Sequence, residues 1–332
     1  MIPAIKRYKT LVVVALLLTG CGSQGTQTFT SPTARASSLP SSGPSASAAP
    51  PLTGAFGVVA TSPATDNYTV SVIGVDGKVV GSAQASSPAQ VTCAGGFPAD
   101  VPLPVSTSNS RVYYMDAQGV VRFLTVQGET GRATTVPTGS GRRSTFAVSP
   151  DDQRIAVIVS DFNPSGAAQK LYVEDLNGGG NHLDIFTSSG ASGLWPIGWH
   201  GNDNLVVALV PVCVGGGGGP QEFHVVDPAS ATRRFTIGSF STCPIAGPPS
   251  RGGAVCENAA HTQANVINWS AVTIRSISLQ GAAAAYISPD GNHVALVTGP
   301  GTAVEGYKTF GGLHVCGWID DTHVMSAGQA NP

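Results

Sequence analysis

The side chains with the widest chemical reach in this 332-residue sequence are six cysteines and seven histidines. Cys21 stands at the exit of "LLLTGCGS", behind Lys6, Arg7 and Lys9 and an apolar run from Leu11 to Leu18. A basic start, a short apolar core and small residues at the exit form the anatomy of a secretory signal. The run is far short of the roughly 20 residues that a membrane-spanning helix needs. Cys21 is therefore a thiol nucleophile placed where an export signal ends.

The other cysteines are Cys93, Cys213, Cys243, Cys256 and Cys316, none in the C-x-x-C spacing of a zinc site. An exported protein is free to oxidise them. In "CPIAGPPSRGGAVC" a turn centred on Pro248 to Arg251 pairs Gly247 with Gly252 and puts Cys243 opposite Cys256. Directly opposed strand residues are about 4.5–5.5 Å apart, within disulfide range. Cys213–Cys243 is the competing pair, and Cys93 with Cys316 could meet where the chain ends join. Five is odd, so at least one thiol stays over.

The histidines are scattered singly. His200 in "GWHGND" and His323 in "DDTH" stand beside acids at hairpin tips. They read as solvated turn residues before they read as metal or proton-transfer groups. The sequence has no G-x-S-x-G elbow, Walker-type loop, H-E-x-x-H or paired-carboxylate motif. "VGGGGGP" from Val214 lacks the Lys-Ser/Thr of a phosphate loop and reads as a hairpin loop. No catalytic residue, metal site or cofactor is expected on these grounds.

The elements that would position these residues recur. "FAVSPDDQRIAVIV" from Phe146 and "AAYISPDGNHVALV" from Ala284 each set a Ser-Pro-Asp turn between apolar strands. Proline presets the turn and Asp or Gly takes its corner, so each is a hairpin, with Asp151 and Asp290 as turn formers. Looser copies place further turns near Ser108, Gly201, Ser250 and Asp320. A second strand pair follows several of them, as in "QKLYVEDLNGGGNHLDIF". Four strands repeating about every 40 to 45 residues are the mark of a β-propeller. Trp195, Trp199 and Trp318, on or near inner strands, are expected to pack between blades rather than line a sugar site.

The fold class expected is therefore all-β: a propeller of about six four-stranded blades, with five to seven compatible. The hairpin from His314 to Met325 lacks a second pair, and "TAVEGYKTFGG" offers barely one outer strand. "NYTVSVIGVDGKVVGSAQ" from Asn67 is a hairpin expected to complete the last blade and close the ring from both ends. The alternative is a chain that has lost a final strand pair.

Two resemblances follow. Leu18-Thr19-Gly20-Cys21 resembles the lipobox of bacterial lipoproteins, which implies cleavage before Cys21 and acyl chains of the palmitate type on it. Buried acyl chains contribute about 0.8 kcal/mol per CH₂, so two or three hold a protein on a membrane. The Ser-Pro-Asp hairpins followed by "LYVEDLNGG" resemble the WD40-like repeats of TolB-type propellers over most of residues 90–325. Such repeats specify a fold and leave activity open.

The organisation expected is a signal peptide at 1–20, a Ser/Pro/Ala-rich tether at 21–53 and a propeller at 54–332. The tether holds too few large apolar side chains to offset its ordering entropy. At about 31 residues its end-to-end distance is roughly 30 Å. Losing the first twenty residues removes three of the 17 basic and none of the 19 acidic residues, moving the formal charge from −2 to −5. That balance argues against nucleic acid as a partner. The function expected is a non-enzymatic binding scaffold in the cell envelope, facing outward and anchored to the membrane by its N-terminal lipid. A protein, peptide or glycan would bind at a propeller face. The alternative is a hydrolase or lyase with a metal at the channel mouth. Of the acids and histidines such a site needs, the inner strands offer almost none beyond His314.

Overall fold

The computed structural model describes residues 55–61, 66–93, 96–164, 166–213 and 219–326. Cys21, the signal at 1–20 and the tether at 21–53 lie outside the described residues, as do positions 214–218 of the Gly-rich loop. The described chain is built of strands and turns with no α-helix.

The strands in chain order are β1 (Phe56–Thr61), β2 (Asn67–Gly74) and β3 (Val79–Ser86), then five units. The first unit is β4 (Val105–Thr107), β5 (Arg111–Met115), β6 (Val120–Thr125) and β7 (Thr130–Thr135). The second is β8 (Arg142–Val148), β9 (Arg154–Asn163), β10 (Gly166–Asp175) and β11 (Leu183–Gly190). The third is β12 (Ser192–His200), β13 (Asn204–Pro211), β14 (Glu222–Asp227) and β15 (Thr232–Ile237). The fourth is β16 (Ala254–Glu257), β17 (Gln263–Ile267) and β18 (Thr273–Ser278). The fifth is β19 (Ala284–Ile287), β20 (Val294–Thr298), β21 (Gly301–Val304) and β22 (Thr309–Gly311). β23 (Val315–Trp318) and β24 (Val324–Ser326) end the described chain. Within each unit, neighbouring strands pair antiparallel in chain order.

The Ser-Pro-Asp corners explain themselves chemically. Ser149 Oγ donates to Asp151 Oδ1 at 2.6 Å and accepts the Arg154 N–H at 2.9 Å. Ser288, Asp290 and His293 repeat both contacts at 2.6 and 3.0 Å. In the fourth unit the innermost place falls to the irregular segment Cys243–Ala246, since Pro244, Pro248 and Pro249 cannot donate to a ladder. It still pairs through Ile245 with Cys256, and the Ala246 N–H reaches the Val255 carbonyl at 2.9 Å. The fifth unit carries both outer strands, β21 and β22, where the sequence suggested one.

Six apolar clusters fill six junctions. Tyr113 and Met115 meet Phe146 and Ile155; Ile158 and Leu171 meet Leu194 and Leu205; Phe223 and Val225 meet Ala254 and Ile267. Val255 and Val266 meet Ile287 and Val294; Ala295 and Val304 meet Val315; Tyr68, Val70 and Val72 meet Val112 and Tyr114. Each sheet is wedged against the next and the last against the first, which makes the molecule a six-bladed β-propeller. The sixth blade is composite: the β1–β3 sheet from one chain end and the β23–β24 hairpin from the other lie side by side in it.

The manner of that closure is more elaborate than one hairpin completing another. Three strands, β1 to β3, come from the N-terminal side, and β24 rather than β1 pairs with β23. β1 meets the hairpin through side chains: a Cβ on Gly57 would stand 2.5 Å from Met325 Sδ and 3.1 Å from Ile319 Cγ1.

The cysteine pairing corrects two expectations. Cys93 does not head an inner strand or reach Cys316; it lies between β3 and β4 and is bonded to Cys213 just after β13. Cys243 is bonded to Cys256, which excludes Cys213–Cys243, and among the described residues Cys316 is the free, exposed thiol. The segment carrying Cys93 crosses the ring face on which the inner strands begin. There Arg143, near the start of β8, donates to the Ala89 carbonyl, and the Asp100 N–H donates to Val212 at 3.1 Å.

Candidate functional site: the channel mouth

Opposite that strap, the ends of the inner strands and the corners after them surround a funnel of about 710 Å³. Each blade supplies it from the same place in its repeat: Ser108 after β4, Pro150 after β8, Trp199 in β12, Ser250 in the fourth blade, Ile287 in β19 and Trp318 in β23. Hydrophobic alternation along each strand sends neighbouring residues into the blade junctions. The corner residues are left to the channel.

The indole rings in the lining are fixed by hydrogen bonds to backbone. Trp199 Nε1 donates to the Ala147 carbonyl at 3.1 Å and Trp318 Nε1 to Tyr286 at 2.8 Å, both across a blade junction. Trp269 Nε1 is shared by the Ser250 and Arg251 carbonyls at 3.1 and 3.0 Å. A buried indole needs such an acceptor. Trp199 and Trp269 are buried, whereas Phe56, Tyr286 and Trp318 are half-exposed. Trp195 packs at the junction of the third and fourth blades.

Charge in the lining comes from Arg251, Asp320 and Asp321. Partial burial works against ionisation of Asp320, yet the Thr322 N–H and the His323 ring hold its carboxyl at about 2. Asp321 Oδ1 accepts the Asp290 N–H at 2.7 Å, tying the corners of neighbouring blades. The Asp290 carboxyl is likewise held below its ordinary value: burial opposes this, and bonds from Ser288 and Asn292 outweigh it.

The remaining sequence candidates are placed as follows. His323 Nδ1 lies 2.9 Å from both Asp320 oxygens, at the β23–β24 corner. His200 is exposed, its ring 6.2 Å from that of Trp269. His314 is exposed at the far end of β23, where its carbonyl accepts Ser326 Oγ at 2.8 Å. Among the described residues, no three His, Cys, Asp or Glu side chains group as metal ligands. Cys316 opens into the funnel, and its proximity, after burial, helps push the Tyr286 hydroxyl up.

Sequence reasoning missed Phe56, Tyr286, Arg251 and Asp321 as neighbours. Arg251 and Asp321 stand in corners and Tyr286 in an inner strand, a signal that becomes a site only once the ring is closed; Phe56, in β1, lies outside the repeated units.

No protein-family model and no curated protein matches the sequence. Among solved structures the chain is similar to an oligogalacturonate lyase in complex with manganese. That match has 12% identity and a TM-score of 0.47 over 71% of this chain and 67% of that one. It is also similar to an oligogalacturonate lyase from Vibrio parahaemolyticus, at 10% identity and 0.44 over 73% and 69%. Prolyl oligopeptidase B from Galerina marginata matches at 11% identity and 0.42, over 75% of this chain and 38% of that one. Likenesses this distant carry no activity across; the propeller rests on the chain's own ladders and its six junctions.

Proposed function

We propose that this chain is an outward-facing envelope lipoprotein, akin to the WD40-like TolB-type propellers. It is held to the membrane through Cys21 and binds a partner at the channel mouth without catalysing a reaction. The observation that supports this most is the character of the mouth. Half-exposed rings and corner hydroxyls dominate it, and two of its charged groups are engaged, Asp320 in its own turn and Asp321 by the Asp290 N–H of the neighbouring blade. Rigid aromatic surface with few free charges suits recognition of a protein, peptide or glycan. The lipid reading is supported by the order of basic residues, apolar run, small residues and cysteine.

The test has two arms. Metabolic labelling with an alkyne fatty acid should tag the wild-type chain and leave Cys21→Ala untagged and released from membranes. Crosslinking on intact cells should give discrete adducts that Arg251→Glu or Tyr286→Ala removes while the melting temperature is kept. Adducts indifferent to both substitutions, or stoichiometric calcium or zinc in the purified protein, would count against a purely binding mouth.

A further inference from the structure

We propose that the mouth recognises an extended proline-rich segment and that residues 40–52 of this chain are its resident occupant. The inference rests on the mouth being a binding surface and names what fills it.

The first observation is where the chain arrives. Ala55 and Phe56 are themselves part of the funnel lining, so the 54 residues before them are attached at its rim. The second is what those residues are. The stretch "PSSGPSASAAPPL", residues 40–52, holds four prolines and no charged side chain. Proline-rich stretches favour the polyproline II helix, which is preformed and so loses little entropy on docking against aromatic surface.

The third is that the mouth offers such a surface beside the point of entry. Phe56, Tyr286 and Trp318 are half-exposed, and Trp318 is locked by its bond to the Tyr286 carbonyl. Pro248 and Pro249 of the fourth blade and Pro289 of the fifth extend the apolar rim. An uncharged occupant also suits a site whose carboxylates, Asp320 and Asp321, already accept backbone N–H groups.

Reach is not a constraint, because thirteen residues in polyproline II span about 40 Å. Covalent attachment sets the effective concentration in the millimolar range. A contact with a dissociation constant of about 1 mM, too weak to hold a free peptide, therefore fills the mouth about half the time. A partner would have to displace this segment, while residues 21–39 remain as spacer to the membrane.

Cys316 supplies the readout, being exposed, unpaired and in the lining. The full-length lipidated protein is treated in detergent with a maleimide, and labelling of Cys316 is followed by mass spectrometry. Changing Pro40, Pro44, Pro50 and Pro51 together to Gly should raise the labelling rate about twofold or more. A synthetic peptide of residues 40–52 at millimolar concentration should then lower it again. Equal rates with and without the four changes, and no effect of added peptide, would overturn the proposal. If those rates stay equal while Arg251→Glu still removes the cellular adducts, the occupant is wrong and the binding mouth stands. If neither responds, both readings fall.

Discussion

Cys93 and Cys213 stand 120 positions apart in the chain and are joined by a disulfide with their Cα atoms 5.8 Å apart. The bond fastens the segment between β3 and β4 to the third blade, three blades on from the sixth, where that segment sets out. Constraining so long a loop removes more entropy from the unfolded chain than a short one does. The chain-entropy relation gives about 5 kcal/mol for this bond and about 3 kcal/mol for Cys243–Cys256, whose loop spans 13 positions.

Replacing Cys93 and Cys213 together by Ser should therefore cost more stability than replacing Cys243 and Cys256. Urea unfolding of the two double variants measures the order directly. The reverse order would mean that the strap is held chiefly by Arg143 and Asp100 rather than by its covalent link.

The Cys243–Cys256 bond also shows how far the sequence could be read. The residues were matched correctly, yet the register behind the match was not. Cys256 faces Ile245, and Ser250 pairs with Gly253, so the ladder is offset by two residues or more from the symmetric hairpin read in the sequence. Three prolines in a strand position make a regular ladder unavailable, and the disulfide spans a diagonal instead. The Ser-Pro-Asp hairpins were legible because serine, proline and aspartate act within five residues. The strap and the mouth were not. Cys93, on the way from the sixth blade to the first, meets a partner in the third, and the funnel gathers residues from six places that share only their position in a repeat.

Blade spacing gives a second expectation. Gly247 lies where the fourth blade touches the fifth, next to the bond from the Ala285 N–H to the Ala246 carbonyl at 3.0 Å. A Cβ on Gly247 would overlap the Ala285 carbonyl oxygen, which is backbone and has nowhere to move. Gly247→Ala should thus destabilise by about 1–3 kcal/mol, the usual range for overpacking. Gly198→Ala, where nothing lies within 4 Å of the added carbon, should stay within about 0.5 kcal/mol. Chemical denaturation of the pair tests the contrast.

Acid should act at the mouth. The Asp320 carboxyl titrates at about 2 in the folded chain against an ordinary 3.8. A folded value below the unfolded one means stability that is fully present above about pH 4 and is lost as the pH falls towards 2. Asp320→Asn removes that contribution, so the difference in melting temperature between wild type and variant should shrink steadily across this window. A constant difference from pH 5 to pH 2 would show that Asp320 does not couple folding to protons.

Closure of the ring carries the last expectation, and Tyr68 is where to probe it. This residue of β2 is fully buried; its hydroxyl donates to the Met115 carbonyl at 2.6 Å and accepts the Met115 N–H at 3.0 Å. One side chain from the N-terminal strands thus satisfies two backbone groups of the first blade. Tyr68→Phe takes the hydroxyl away from the buried Met115 carbonyl and leaves the Met115 N–H only its longer bond to the Pro104 carbonyl at 3.2 Å, and should cost about 1–3 kcal/mol. Ser71→Ala, which removes an exposed bond to Ser82, should be nearly neutral. Removing residues 54–86 strips the apolar cover from Val112, Tyr114 and Leu124 and takes three strands out of the sixth blade. That truncated chain should lose its cooperative unfolding transition in calorimetry. If it melted like the intact protein, β1 to β3 would be an appendage and the ring would close without them.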